Sequence, residues 1–269
     1  MTPIIGGTSI GSGCPKEVED RMAFYDCAGP ADGFPVVFLH GALGNRKMWI
    51  PQMNALAERY RVIALDLPAH GTLAAQSLTL RSATRLLADV LALEHISRAA
   101  LVGFSLGGYV ALRFAAEQPT SVAGLALAGS SHNAHGWLFW LAAKLRAISL
   151  TLSGGQRGLQ RFERGFRKAY PAALIEPVIN AGLSWKGYCQ TIWHVPDSHV
   201  MLKQVRAYPG PLLILNGEYD TDARAGEMAF VAAARDARLL VLKGAGHNST
   251  TEQPEAFTRA VSDFLQSLA

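Results

Sequence analysis

Runs of five to seven apolar residues recur along the chain, each followed by a stretch in which apolar positions fall three and four apart. The first kind suits a strand buried on both faces, and the second suits a helix packed across it. The pattern predicts strands over Met22 to Cys27, Pro35 to Leu39, Val62 to Leu67, Ala99 to Phe104, Val122 to Ala128, Pro211 to Asn216 and Leu239 to Lys243. Helical spacing falls over Met48 to Tyr60, Leu78 to His95, Leu106 to Ala116, Arg224 to Ala234 and Pro254 to Leu268. Strand and helix alternating in this way make an α/β fold, with a mostly parallel, doubly wound sheet covered on both faces. The rhythm fails between about His132 and Val205, where the sequence is helical, aromatic and basic with no strand run. An inserted helical cap over residues 132–205 explains the interruption, leaving one core domain in two pieces, 21–131 and 206–269. Residues 1–20 are rich in Gly and weakly periodic, so a flexible N-terminal arm is expected there.

Composition narrows the class. Hydrophobic residues make up 49% of 269 and charged residues 17%, enough for a large core. The net charge of +4 is local, since residues 132–205 hold nine Lys/Arg against three Asp/Glu. With no nucleic-acid motif beside it, this excess reads as a solvated face and not as a polyanion site. Three cysteines, Cys14, Cys27 and Cys189, are few, odd in number and without metal spacing, which favours a reducing compartment. No basic stretch followed by a long apolar run opens the chain, so a cytoplasmic location is expected. The most apolar window, Trp137 to Leu152, carries Lys144 and Arg146 near its middle, which argues against an integral membrane segment. His132, His135, His194 and His199 lack accompanying carboxylate or thiolate spacing, so neither a metal nor a cofactor is expected. The oligomeric state stays open.

Candidate chemistry gathers at one joint. Ser105 lies between an apolar strand run and a helical run, with Gly103 and Gly107 two residues to either side, in a G-x-S-x-G pattern. A strand that turns at once into a helix strains the joint residue and leaves no room for side chains at those two neighbours. The same pattern occurs at Gly7 to Gly11 around Ser9, but no strand precedes it and GSGCP cannot open a helix after it. A serine hydroxyl needs a base, and the base needs a group to orient it; in an open α/β sheet both come from loops at the carboxyl ends of strands. His247 follows the strand run Leu239 to Lys243 between flanking glycines, and Asp220 follows Leu212 to Asn216. Asp222 and Glu218 are alternatives for the acid, and Asp66, which precedes the serine, reads as a loop anchor. The Leu106 N–H, at the helix start, is placed to hold an oxyanion.

The G-x-S-x-G joint, the chain order Ser105, Asp220, His247 and the His40-Gly41 loop after a strand resemble the α/β-hydrolase family. The resemblance covers about 22–131 and 206–269. Within the family the pattern is similar to small bacterial esterases, lactonases, carbon–carbon bond hydrolases and cofactor-free perhydrolases. It implies a catalytic triad of Ser105, Asp220 and His247, with Ala42 as second oxyanion donor beside Leu106 and Leu43 as fallback. Haloalkane dehalogenases and epoxide hydrolases of this fold attack with Asp, and Ser105 speaks against both. One departure is that Asp66 to Gly71 reads DLPAHG, with Ala69 where the family often has glycine.

The insertion is dense in aromatics: Trp137, Phe139, Trp140, Tyr170, Trp185, Tyr188 and Trp193. Most should pack helices together, and Trp137, Trp140, Trp185 and Trp193, with Leu43, are the candidates for lining a substrate pocket. The expected function is a serine hydrolase that cleaves a small apolar carboxylic ester or lactone through an acyl-enzyme. The same residues could instead cleave a carbon–carbon bond or transfer an acyl group, and the fold could serve as a small-molecule receptor.

Overall fold

Strands β1 (Tyr25–Ala28), β2 (Phe34–Leu39), β3 (Tyr60–Leu65), β4 (Ala99–Phe104), β5 (Val122–Ala128), β6 (Pro211–Gly217) and β7 (Asp236–Leu242) form one sheet in the order β1-β3-β2-β4-β5-β6-β7. Every neighbouring pair is parallel except β1, which lies antiparallel to β3 at one edge. The computed structural model describes residues 24–153 and 155–268, so the expected arm over 1–20 lies outside the described residues. Every residue of β4 and β5 is buried, which is why both read as unbroken apolar runs. Successive side chains alternate between two cores. Val37, Leu39, Leu101 and Leu127 join α2 (Leu80–Leu93) and α3 (Leu106–Glu117) on one face. Val36, Phe38, Val102 and Leu215 meet Trp49, α1 (Ile50–Leu56) and the last helix, α11 (Pro254–Gln266), on the other.

Several elements differ from the sequence pattern for local reasons. The helix expected over Met48 to Tyr60 is a 3-10 turn, Arg46–Trp49, followed by α1, because Tyr60 is taken into β3 opposite Phe34. The helix expected from Arg224 is split into α9 (Thr221–Arg224) and α10 (Glu227–Ala233) at Gly226, whose backbone lies against the Ser131 and His132 carbonyls. β7 begins three residues early because, at the sheet edge, its first half alternates exposed and half-buried positions. Between β5 and β6 the chain forms α4 (Gly136–Leu152), α5 (Gly155–Ala169), α6 (Ala172–Asn180), α7 (Trp185–His194) and α8 (Ser198–Ala207). The last of these packs on α3 and buries Met201 and Val205 in the sheet core. Hydrogen bonds join α6, α7 and the turn between them to the sheet loops. Asn45 Nδ2 donates to the Val178 and Gly182 carbonyls at 2.8 and 3.1 Å, and the Ser184 N–H donates to the Leu43 carbonyl at 2.8 Å. Gln190 accepts from the Leu78 N–H at 2.7 Å.

β4 passes into α3 through Ser105 alone, at φ 51° and ψ −112°. A Cβ on Gly103 would run into the Gly107 backbone, and one on Gly107 into the Leu39 carbonyl, so both glycines are required by close approach. The Ser105 N–H donates to the Ala128 carbonyl at 2.8 Å, tying the joint to β5.

The loops after β2 and β3 are clamped together by buried polar groups. His40 Nε2 accepts the Leu67 N–H at 2.9 Å, and its Nδ1–H donates to the Gly41 carbonyl at 2.7 Å, an arrangement that only the neutral ring satisfies. Asp66, fully buried, accepts the Arg46 and Thr72 N–H groups at 2.9 Å each, the Thr72 hydroxyl at 3.0 Å and the Arg46 guanidinium. Ala69 takes φ 68°, a conformation that costs an alanine about 1 kcal/mol and that suits the glycine implied there by the resemblance. The Ser184 hydroxyl donates to its carbonyl.

Burial lowers the pKa of both His40 and His70, and His70 is pushed down to about 3, with the neighbouring His40 adding to the effect. An unfolded chain takes up protons at these rings below pH 6.5 while the folded chain does not, so stability is full above pH 6.5 and falls as pH drops. For His70 alone the loss at pH 5 is about 2 kcal/mol. Urea unfolding at pH 7 and pH 5 checks this: the midpoint falls at pH 5 in the wild type and falls less in His70→Gln.

Candidate active site

Three loops at the carboxyl ends of strands bring Ser105, Asp220 and His247 together. Asp220 follows β6 in the sequence Asn216-Gly-Glu-Tyr-Asp220, is buried, and caps α9 by accepting the Ala223 N–H at 3.3 Å. Its other oxygen, Oδ2, accepts from His247 Nδ1 at 2.7 Å. His247 stands on the loop after β7, where Gly244 at φ 72° turns the chain back over the sheet. With Nδ1–H held by the carboxylate, Nε2 keeps its lone pair towards Ser105 Oγ, 3.2 Å away. The ring rests on Phe104, centroids 5.1 Å apart, and half of the side chain stays open to solvent. A second set of contacts fixes the same loop: Asn248 Nδ2 donates to Tyr170 Oη at 2.9 Å, and the Tyr170 hydroxyl donates to Glu252 at 3.1 Å.

Beside Ser105 lie two main-chain donors. Leu106 opens α3, so its N–H has no carbonyl one turn back to bond with. Gly41 passes so close to Phe104 that a Cβ would come within 2.7 Å of the ring, which carries Ala42 into the wall of the cavity above Ser105. Among the described residues neither the Ala42 nor the Leu106 N–H donates to a main-chain carbonyl outside its own element. Leu43 is placed elsewhere. At φ 72° it is buried outside the cavity wall, with its carbonyl against Ser184.

A model of the alpha/beta hydrolase family matches residues 36–260. The chain belongs to the alpha/beta hydrolase family. A 2-succinyl-6-hydroxy-2,4-cyclohexadiene-1-carboxylate synthase from Enterobacter sp. (strain 638) is 28% identical over 256 residues, covering 87% of this chain and 93% of that one. Carboxylesterase YbfK from Bacillus subtilis (strain 168) is 23% identical over 252 residues, covering 88% and 82%. Among solved structures, a thermophilic esterase from Thermogutta terrifontis superposes with a TM-score of 0.75 at 24% identity, covering 91% of this chain and 93% of that one.

In this alpha/beta hydrolase the cavity over Ser105 measures about 810 Å³, within the range of small-molecule sites. Its roof comes from α4 and α7, through Phe139, Ala143 and Arg146 of the first and Tyr188 and Ile192 of the second. The tryptophans expected to line it do not. Trp137 and Trp140 stand on the outside of α4, 72% and 60% exposed, and Trp193 is also solvent-facing. Trp185 is spent on packing: its ring lies against Gly155 and Gly158 of α5 and its Nε1 donates to the Leu150 carbonyl at 3.1 Å. Helix α4 is apolar over most of its circumference, and the face expected inward, with Trp137 and Trp140, turns out; the stripe Phe139, Ala143, Ala147 turns inward because its small residues let α7 approach. Tyr109 went unmarked although it sits four residues after Ser105, on the same face of α3. Burial, with Asp220 and Asp222 nearby, pushes its hydroxyl well above the usual tyrosine range, keeping it a neutral donor. Of the four histidines weighed for a metal, His135 and His199 stack at 4.4 Å, and His132 meets the edge of Tyr109. Among the described residues no three potential metal-ligating side chains gather. No helix among them is long and apolar enough to cross a membrane.

Proposed function

We propose that the protein is a serine hydrolase that cleaves a small, apolar carboxylic ester or lactone through an acyl-enzyme. The reading rests on the hydrogen-bonded chain Asp220–His247–Ser105, 2.7 and 3.2 Å long, standing in the wall of a mostly apolar cavity. His247 Nε2 takes the hydroxyl proton as Ser105 Oγ attacks the ester carbonyl, and Asp220 stabilises the imidazolium that forms. The N–H groups of Leu106 and Ala42 hold the tetrahedral oxyanion. Collapse breaks the bond to the alcohol, which leaves with the proton from His247 and frees the acylated serine. Water then gives a proton to the same nitrogen, adds to the acyl carbon and releases the carboxylic acid with Ser105 restored. Kinship with a carboxylesterase supports the ester as substrate.

Fluorophosphonate labelling tests this. The Ser105 oxygen displaces fluoride from phosphorus, so the adduct is expected on the peptide bearing Ser105, within minutes at a modest excess of reagent. His247→Ala should slow labelling by about 10³-fold or more, because the base is gone. Labelling elsewhere, or labelling indifferent to His247, overturns the proposal. Saturable ligand binding with no turnover of any ester would favour the receptor reading instead.

A further inference from the structure

The outer face of α4 has no partner within the described chain. Leu138, Leu141, Leu145, Ile148 and Leu152 follow one another at spacings of three and four along it, with Trp137 beside them, and all are exposed, Leu152 by 80%. With Trp140 and Trp193 alongside, the apolar surface in water is roughly 900 Å², well beyond the largest patch of an ordinary monomer. The two charges of the helix leave this line clear. Lys144 folds over the Trp140 and Trp193 rings, 5.6 and 4.6 Å from their centroids, and Arg146 lines the cavity.

The neighbouring helix supplies the opposite chemistry. In α5 Phe162 packs down on Trp185 and Tyr188 of α7, centroids 6.3 and 5.7 Å away, and Phe166 follows on the same side. Arg157, Arg161, Arg164 and Lys168 occupy the other side, all exposed. Trp185 of α7 meets both helices, donating to the Leu150 carbonyl of α4 and packing on Phe162, Gly155 and Gly158 of α5, so the two lie side by side on α7 with the apolar face of one and the basic face of the other turned outward. We propose that this surface, the outer face of α4 with the basic face of α5, docks on an anionic lipid bilayer. Lying in the plane of the interface, a helix of 17 residues sinks its Leu and Trp side chains among the acyl chains, while the four cations meet lipid phosphates. A second copy is the rival occupant, since the spacing of the Leu line also suits a helix–helix seam. A two-fold contact there would crowd the basic helices of both copies, whereas anionic lipid neutralises them.

Vesicle flotation decides between them without needing turnover, so its outcome is independent of the hydrolase reading. The full chain should float with vesicles of phosphatidylcholine carrying about a third phosphatidylglycerol, far less with phosphatidylcholine alone, and less as salt is raised. Leu141→Asp with Leu145→Asp should weaken flotation by more than about tenfold, since both charges would enter the acyl region. Arg157→Gln with Arg164→Gln should weaken it by about 25-fold, at roughly fivefold per cation. All four positions face solvent, and unchanged circular-dichroism melts verify that the variants fold. The proposal is overturned if the wild type stays with the soluble fraction, or if neither double variant alters flotation. A concentration-dependent dimer in light scattering, split by the Leu141/Leu145 variant and with no flotation, would assign the face to a second copy instead.

Discussion

Ser105→Ala is expected to leave the fold intact and to remove hydrolysis of short p-nitrophenyl esters, lowering kcat by about 10⁴- to 10⁶-fold. The variant deletes one oxygen from a half-buried position and adds no bulk, and its partner His247 Nε2, 3.2 Å away, retains access to water. Stability should therefore change by no more than about 1 kcal/mol. Alanine inherits the same backbone angles, φ 51° and ψ −112°, and with them much the same strain. Residual turnover, where measured, is expected from water attack with the proposed oxyanion donors still in place. A variant that keeps more than about a tenth of wild-type kcat would remove Ser105 from the chemistry. The melt matters as much as the rate, because loss of activity with loss of fold would say nothing about the hydroxyl.

Asp66→Ala is expected to act the other way, costing about 3–5 kcal/mol of stability. The deleted carboxylate is fully buried and accepts hydrogen bonds from two main-chain N–H groups, a hydroxyl and a guanidinium. Arg46 keeps Asp26 as a partner at 3.1 Å, but the N–H groups of Arg46 and Thr72 lose theirs. Thermal or urea unfolding measures the loss, and the surviving folded fraction should still react with fluorophosphonate. Asp220→Asn makes the natural contrast, with a stable fold and slow chemistry. A stable Asp66→Ala with depressed kcat would move Asp66 from anchor to active site.

These two aspartates show what could be read along the chain. Both follow carboxyl ends of parallel strands, so sheet geometry admits either, and it is the serine, acid, histidine order of the family that the sequence resembles which separates them. The Ser105 joint was legible for a related reason: close backbone approach at Gly103 and Gly107 leaves glycine as the only solution, and a steric demand of that kind is written in residue type. The roof of the cavity was not legible. Orientation of a helix apolar over most of its surface depends on what it packs against, so the sequence points Trp137 at the cavity, where packing on α7 places Phe139, two residues on. Tyr60 illustrates the same competition on a smaller scale, since helical spacing reached it but pairing with Phe34 claimed it.

The hydrogen bonds that join Asn45 to α6, Ser184 to Leu43 and Ala69, and Tyr170 to Asn248 have a mechanical consequence. They rivet α6 and the start of α7 to the loops after β2 and β3 and, through Asn248, to the residue next to His247, while α4 is tied to α7 by hydrogen bonds from Trp185 to the Leu150 carbonyl and from Lys144 to the Trp193 carbonyl. The roof is thus cross-linked to the sheet loops at one end and within itself at the other, and a chamber braced in this way holds the imidazole and its carboxylate in alignment.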